Sequence, residues 1–171
     1  RAGMREVVFI SDLHLAQDEP AITERFQRFL RDIDGRAEAL YILGDLFEIW
    51  IGDDELAEPF QAGIANALRS LSERGTALRI MHGNRDFLLG PAFMSACGAE
   101  PLPDPTIVDL FGIPTLLMHG DSLCIDDQPY QDFRRQVRDP AWQQAFLARP
   151  IEERRAIARQ FLKLFEIAAT G

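Results

Sequence analysis

Several common kinds of protein are excluded by what this chain has little of. It has two cysteines, Cys97 and Cys124, far apart and in no C-x-x-C spacing, which rules out a disulfide framework and fits reduced thiols in a packed interior. No apolar run approaches the ~18 residues needed to cross a bilayer. The cleanest N-terminal stretch, Val7 to Ile10, is too short for the core of a secretory signal, so the chain is expected to stay in the cytosol. Basic residues are outnumbered, 18 Lys and Arg against 27 Asp and Glu, for a net charge of −9. That is the opposite of the broad positive footprint nucleic-acid binding requires, and no nucleic-acid partner is expected. No internal repeat, low-complexity tract or linker interrupts the chain. Histidine is also scarce, with only His14, His82 and His119.

What remains is the composition of an ordinary globule, 171 residues with 47% hydrophobic and 26% charged, enough for one sizeable core. Arg1-Ala2-Gly3 precede Met4, which makes Met4 the expected natural start. The charge is uneven: from Tyr130 onward eight basic residues face five acidic ones, so a basic segment follows an acidic body.

Apolar runs at 7–10, 39–43 and 77–81 alternate with stretches of helical spacing, Ile22, Phe26, Phe29, Leu30, Ile33 and then Leu56, Phe60, Ile64, Leu68, Leu71. Uninterrupted apolar strands between amphipathic helices predict an α/β fold with a parallel sheet buried on both faces. Thr106 to Phe111, a Gly112-Ile113-Pro114 turn and Thr115 to Met118 read as a hairpin. Helices are expected at 129–138, 141–147 and 151–168, broken at Pro140 and Pro150.

Four of these strands end in side chains able to bind a metal: Asp12-x-His14, Gly44-Asp45, His82-Gly83-Asn84-Arg85-Asp86 and His119-Gly120-Asp121. Ligands bind beyond the carboxyl ends of parallel strands. On an extended backbone Asp12 and His14 would point the same way and grip one cation. Singly, each has a plainer reading: Asp12 as a helix cap, Asn84 as a turn residue, His119 as a core histidine donating to a carbonyl. His82 reads as structural, and Asp86 as fixing Arg85 or capping the turn.

The order D-x-H, G-D, G-N-R-D, H-G-D, each after an apolar strand, resembles the calcineurin-like metallophosphoesterase signature. The resemblance implies an αββα sandwich and two divalent metals. Asp45 would bridge them, Asp12 and His14 would complete one side, and Asn84 with His119 the other. Carboxylate, amide and imidazole ligands without thiolate favour Mn²⁺ or a similar borderline ion over a soft one. Most of that family carry G-N-H, whose histidine can protonate a leaving group. Arg85 stands there instead, and arginine cannot act as that acid.

The longer strings SDLHL, ALYILGDLFEIWIGDD, HGNRDFLLG and MHGDSLCIDD resemble the UDP-2,3-diacylglucosamine pyrophosphatase family of lipid A biosynthesis in Gram-negative bacteria, over roughly Val7 to Arg138. That likeness implies Mn²⁺-dependent cleavage of a lipid-nucleotide pyrophosphate to UMP and 2,3-diacylglucosamine 1-phosphate. It implies a peripheral enzyme at the cytoplasmic face of the bacterial inner membrane. It assigns Asn84 and Arg85 to catalysis, and Asn84, Arg85 and Asp127 to substrate, with Tyr130 and Trp50 near the site. Trp50 reads equally as a core anchor. Residues 4–128 would form the core and 129–171 a helical lid, with Trp142, Phe146, Phe161, Leu162, Leu164 and Phe165 beside its arginines. The family's Gly-His-x-His motif has no counterpart in these residues, so the expected sandwich is incomplete, each metal keeps three protein ligands, and hydrolysis is weakened. A soluble nucleotide phosphoesterase and a non-catalytic interaction module on the same fold remain as alternatives. Oligomeric state is not legible.

Overall fold

A parallel neighbour can be reached only by a crossover, most simply a helix laid on the sheet. The computed structural model describes residues 6–169, with side chains described through Lys163. It divides into two units, one running to Cys124 and the other from Ile125. In the first, β1 (Glu6–Ile10), α1 (Pro20–Ile33), β2 (Ala37–Leu43), α2 (Pro59–Glu73), β3 (Ala77–Met81), α3 (Pro91–Cys97) and β4 (Ala99–Leu102) follow one another. The four strands make one all-parallel sheet in chain order.

Each helix has an evident reason to begin and to pack. Pro20 opens α1, where its fixed φ suits the first turn, and Phe26, Leu30 and Ile33 form the buried stripe. Pro59 opens α2, which buries Ile64, Ala65, Leu68 and Leu71. Strand alternation then sorts the sheet. Leu40, Ile42, Leu78 and Ile80 point one way and are buried. Ala39, Tyr41 and Met81 point the other way and cluster with Leu117, with Leu43, Leu102 and Val108 packed against them. Full burial of one such large side chain contributes about 1.5–3 kcal/mol.

Leu117 and Val108 belong to an antiparallel hairpin, β5 (Thr106–Leu110) and β6 (Ile113–Leu117). The hairpin adds a second β layer on the sheet's other side, as the sandwich reading requires. Its turn is Phe111-Gly112, both at positive φ of 55° and 86°. This corrects the expected Gly112-Ile113-Pro114 turn: two left-handed central residues match the strands' twist, and Ile113 and Pro114 are already in β6. Leu56 is likewise not in α2. It sits in a separate 3₁₀ turn, Asp53–Ala57.

The second unit consists of α4 (Gln128–Arg138), α5 (Pro140–Leu147) and α6 (Ile151–Ala169). Asp127 and Asp139 cap α4 and α5 by accepting from backbone amides. Trp142 stacks on Phe146 at 5.1 Å between ring centres, and Phe161 meets Phe133 edge-on at 4.9 Å. Three of the aromatics expected on a lid therefore pack against rings of their own unit. Leu164 and Phe165 lie outside the described side chains. Among the described residues no helix is long and apolar enough to cross a membrane.

Candidate metal centre

The loop after β1 and the loop after β2 run side by side. Asp12 N donates to Gly44 O (3.1 Å), His14 N to Asp45 O (3.0 Å) and Leu15 N to Leu46 O (2.9 Å), and Leu15 and Phe47 form a parallel bridge. This pairing holds three candidate ligands in left-handed backbone: φ is 55° at Asp12, 50° at His14 and 55° at Asp45. The expected extended D-x-H geometry is thus corrected, since β1 ends at Ile10 and each ligand takes its own turn. Such conformations cost about 1–3 kcal/mol each and collect at functional sites.

Glycine makes the fit possible at two points. A Cβ on Gly44 would lie 2.5 Å from His119 Nδ1, and one on Gly83 would lie 2.0 Å from Asp45 Oδ1. With neither present, Asp12, Asp45 and His119 bring one ligand atom each to within 4.8 Å of one another. His14 Nε2 lies 3.4 Å and His119 Nε2 3.6 Å from Asp45 Oδ2. Asn84 Oδ1 is 3.0 Å from His119 Nε2. Asp12, His14 and His119 therefore gather around one buried carboxylate, Asp45, with Asn84 against His119.

The donor set fits a cation on chemical grounds. His119 Nδ1 is 2.8 Å from Leu43 O, so it carries the proton and donates to the carbonyl. Nε2 then turns its lone pair toward Asn84 Oδ1 and Asp45. His119 is both the carbonyl-bound histidine of the plainer reading and a candidate ligand. His14 repeats the arrangement, with Nδ1 2.7 Å from Glu48 Oε2. Hydrogen bonds to Asp45 and then Glu48 push His14 up to about 10; proton and metal compete for its Nε2.

Asp86 has a different task from the candidate ligands. Fully buried, it accepts from the amides of Gly83 (2.9 Å), Asp45 (3.2 Å), Leu46 (2.8 Å) and Phe47 (3.3 Å). It ties the second motif loop to the third. Burial pushes its carboxyl up to about 6, with the Asp45 charge adding, against the pull of the amides. Arg85 belongs to the same site, as its amide donates to Asp45 Oδ1 (2.9 Å) and its guanidinium Nη1 to Glu48 Oε1 (2.8 Å). His82 lies 2.6 Å from Leu89 O, a structural contact.

Trp50 is the correction among the substrate candidates. It is 1% exposed, its ring packs on Phe47 and Phe93, and its Nε1 donates to Asp53 Oδ1 at 3.1 Å. A side chain so enclosed has no face for a nucleotide. Asp127 and Tyr130 lie in the second unit, where the Asp127 carboxylate accepts the Tyr130 amide at 3.0 Å. The residues that sequence reasoning left without a role are Glu48, Asp53 and Glu55. Asp53 also accepts from Gly90 N and Phe93 N, and buried Glu55 accepts from Ile51 N.

The calcineurin-like phosphoesterase family profile matches residues 5–161. A protein of Hahella chejuensis named UDP-2,3-diacylglucosamine hydrolase is 50% identical over 157 residues, 92% of this chain and 64% of that protein. Proteins of the same name from Marinobacter nauticus and Xanthomonas campestris pv. campestris are 52% and 54% identical, covering 92% and 90% of this chain and 64% and 62% of theirs. The chain thus spans a little under two thirds of the length of these relatives.

Proposed function

Because the chain belongs to the calcineurin-like phosphoesterase family, we propose that it hydrolyses the pyrophosphate bond of UDP-2,3-diacylglucosamine, releasing UMP and 2,3-diacylglucosamine 1-phosphate. The setting is lipid A biosynthesis at the cytoplasmic face of the bacterial inner membrane, with Mn²⁺ as the metal. Asp12, His14, Asp45, Asn84 and His119 would hold two cations, Asp45 between them. Bound there, the cations would supply the charge that activates water and neutralises a phosphoryl group under attack.

Arg85 is the observation that carries the reading. Its guanidinium stays charged at any working pH and cannot give a proton to an alkoxide. A pyrophosphate needs no such acid, because its leaving group departs as a phosphate anion. The planar fork instead grips phosphoryl oxygens pairwise as charge spreads over them. Asn84, next in the chain, would serve both metal and substrate. The lid segment, residues 129–171, would cover the acyl chains. Asp127 and Tyr130 at the start of α4 would contact substrate, and the segment's basic residues would meet anionic headgroups.

Three relatives bearing that activity in their names, each at 50% identity or more, support the substrate. The test is Mn²⁺-dependent release of UMP from UDP-2,3-diacylglucosamine by this chain and by a version continued to the relatives' length. Release by either supports the reading. Failure of both, with phosphate released from simple nucleotides, would transfer it to a soluble nucleotide phosphoesterase.

A further inference from the structure

Glu48 stands three residues after Asp45, and its two oxygens reach two different side chains of the candidate site. Oε2 lies 2.7 Å from His14 Nδ1, and Oε1 accepts from Arg85 Nη1 at 2.8 Å. Its backbone is anchored, since Glu48 N donates to Leu15 O at 3.1 Å. The two imidazole nitrogens diverge, so a carboxylate on Nδ1 lies on the far side of the ring from Nε2 and Asp45. Glu48 is therefore placed behind a ligand and is not a ligand itself.

We infer that Glu48 is a positioning residue for both halves of the site, fixing His14 with Nε2 toward the cation through one oxygen and aiming the Arg85 guanidinium at phosphate through the other. The inference rests on the metal-site reading above. A carboxylate behind a metal-bound imidazole sets its tautomer, fixes its ring plane and raises its basicity. Because the two contacts use different oxygens, they can be separated by substitution. Glutamine keeps one acceptor oxygen for His14 but turns an NH₂ toward Arg85, where two donors repel.

The test uses the 171-residue chain with Mn²⁺ and UMP as calorimetric probes. Glu48→Ala should bind Mn²⁺ about 10–100-fold more weakly, while Arg85→Ala stays within about twofold of the parent, a ratio that a general loss of packing would not produce. Glu48→Gln should keep Mn²⁺ affinity within a few-fold and lose UMP affinity as Arg85→Ala does. The structural signature is the His14 Nδ1 proton in the Zn²⁺-loaded protein, read by NMR. With three histidines in the chain it is readily assigned. It should be slow to exchange in the parent and in Glu48→Gln, and lost in Glu48→Ala.

Wild-type Mn²⁺ affinity with an unchanged His14 signal in Glu48→Ala would overturn the inference while leaving the metal site standing. Absence of Mn²⁺ binding by the parent chain would overturn both. Should Glu48→Ala fail to fold, Glu48→Gln decides: parental UMP affinity there removes the Arg85 role.

Discussion

At Asp45 the backbone is left-handed and the side chain buried; one carboxylate oxygen accepts the Arg85 amide, and the other faces His14 and His119. If two cations bind as proposed, a residue in that position should matter to both, whereas Asp12 lies at the edge, exposed to solvent. Asp45→Asn is expected to weaken every metal-binding step seen by calorimetry, and Asp12→Asn chiefly one. Asparagine tolerates left-handed backbone, so both variants should fold. Unchanged stoichiometry and affinity in Asp45→Asn would remove the bridging role. Arg85→Lys keeps the charge and loses the fork. It should melt within about 2 °C of the parent, given the ~2–4 °C that 1 kcal/mol moves a protein of this size. UMP release should fall at least about tenfold in any active form; full turnover would return Arg85 to an ordinary turn residue.

The elements that the sequence announces by periodicity are those with a buried stripe or a buried run: α1, α2, β2, β3 and the hairpin. Those it conceals are short or irregular. β4 holds only Ala99–Leu102 with a proline inside, tolerated because among the described residues it is an edge strand. α3 is seven residues long and is held by Asp53, whose carboxylate reaches Gly90 N and Phe93 N from 37 and 40 residues away, a partnership no local pattern reveals. The candidates His14, Asn84 and His119 stand out in the sequence because histidine and asparagine are scarce in this chain, and Asp12 and Asp45 because each follows an apolar run. Their backbone was not legible, because left-handed turns at Asp12 and His14 come from pairing with the β2 loop. The long strings around the ligands also have a packing reason. Trp50 donates to Asp53, Asp53 holds the start of α3, and Glu55 holds the Ile51 amide. Gly83→Ala should therefore drive Asp45 from its place, costing about 1–3 kcal/mol by denaturant unfolding and abolishing tight Mn²⁺ binding. Gly63→Ala is the contrast: it lies within α2 with nothing within 4 Å of an added Cβ, and should stabilise by about 0.5–1 kcal/mol. Destabilisation by both would mean that backbone conformation, not the clash at Asp45, decides.

Across the molecule, accessibility separates the two thiols. Cys97 is fully buried and its thiol is pushed up to about 12 by burial, while Cys124 is exposed. Iodoacetamide at pH 8 should modify Cys124 in the native state and Cys97 only on unfolding, as mass spectrometry would record. Prompt alkylation of both would show that the α3 region opens readily. The outer face of the hairpin leaves Ile107 and Leu116, cross-strand partners, 70% and 58% exposed. The Asp86 carboxylate has a consequence in time as well as in space. Asp45, Leu46, Phe47 and Gly83, spread over nearly forty positions of chain, give their amide protons to that single side chain. None can meet solvent deuterium until the carboxylate lets go, so the four should exchange at one shared slow rate, a clock reporting the opening of both loops as a single event. Widely different rates among them would mean that the loops open separately.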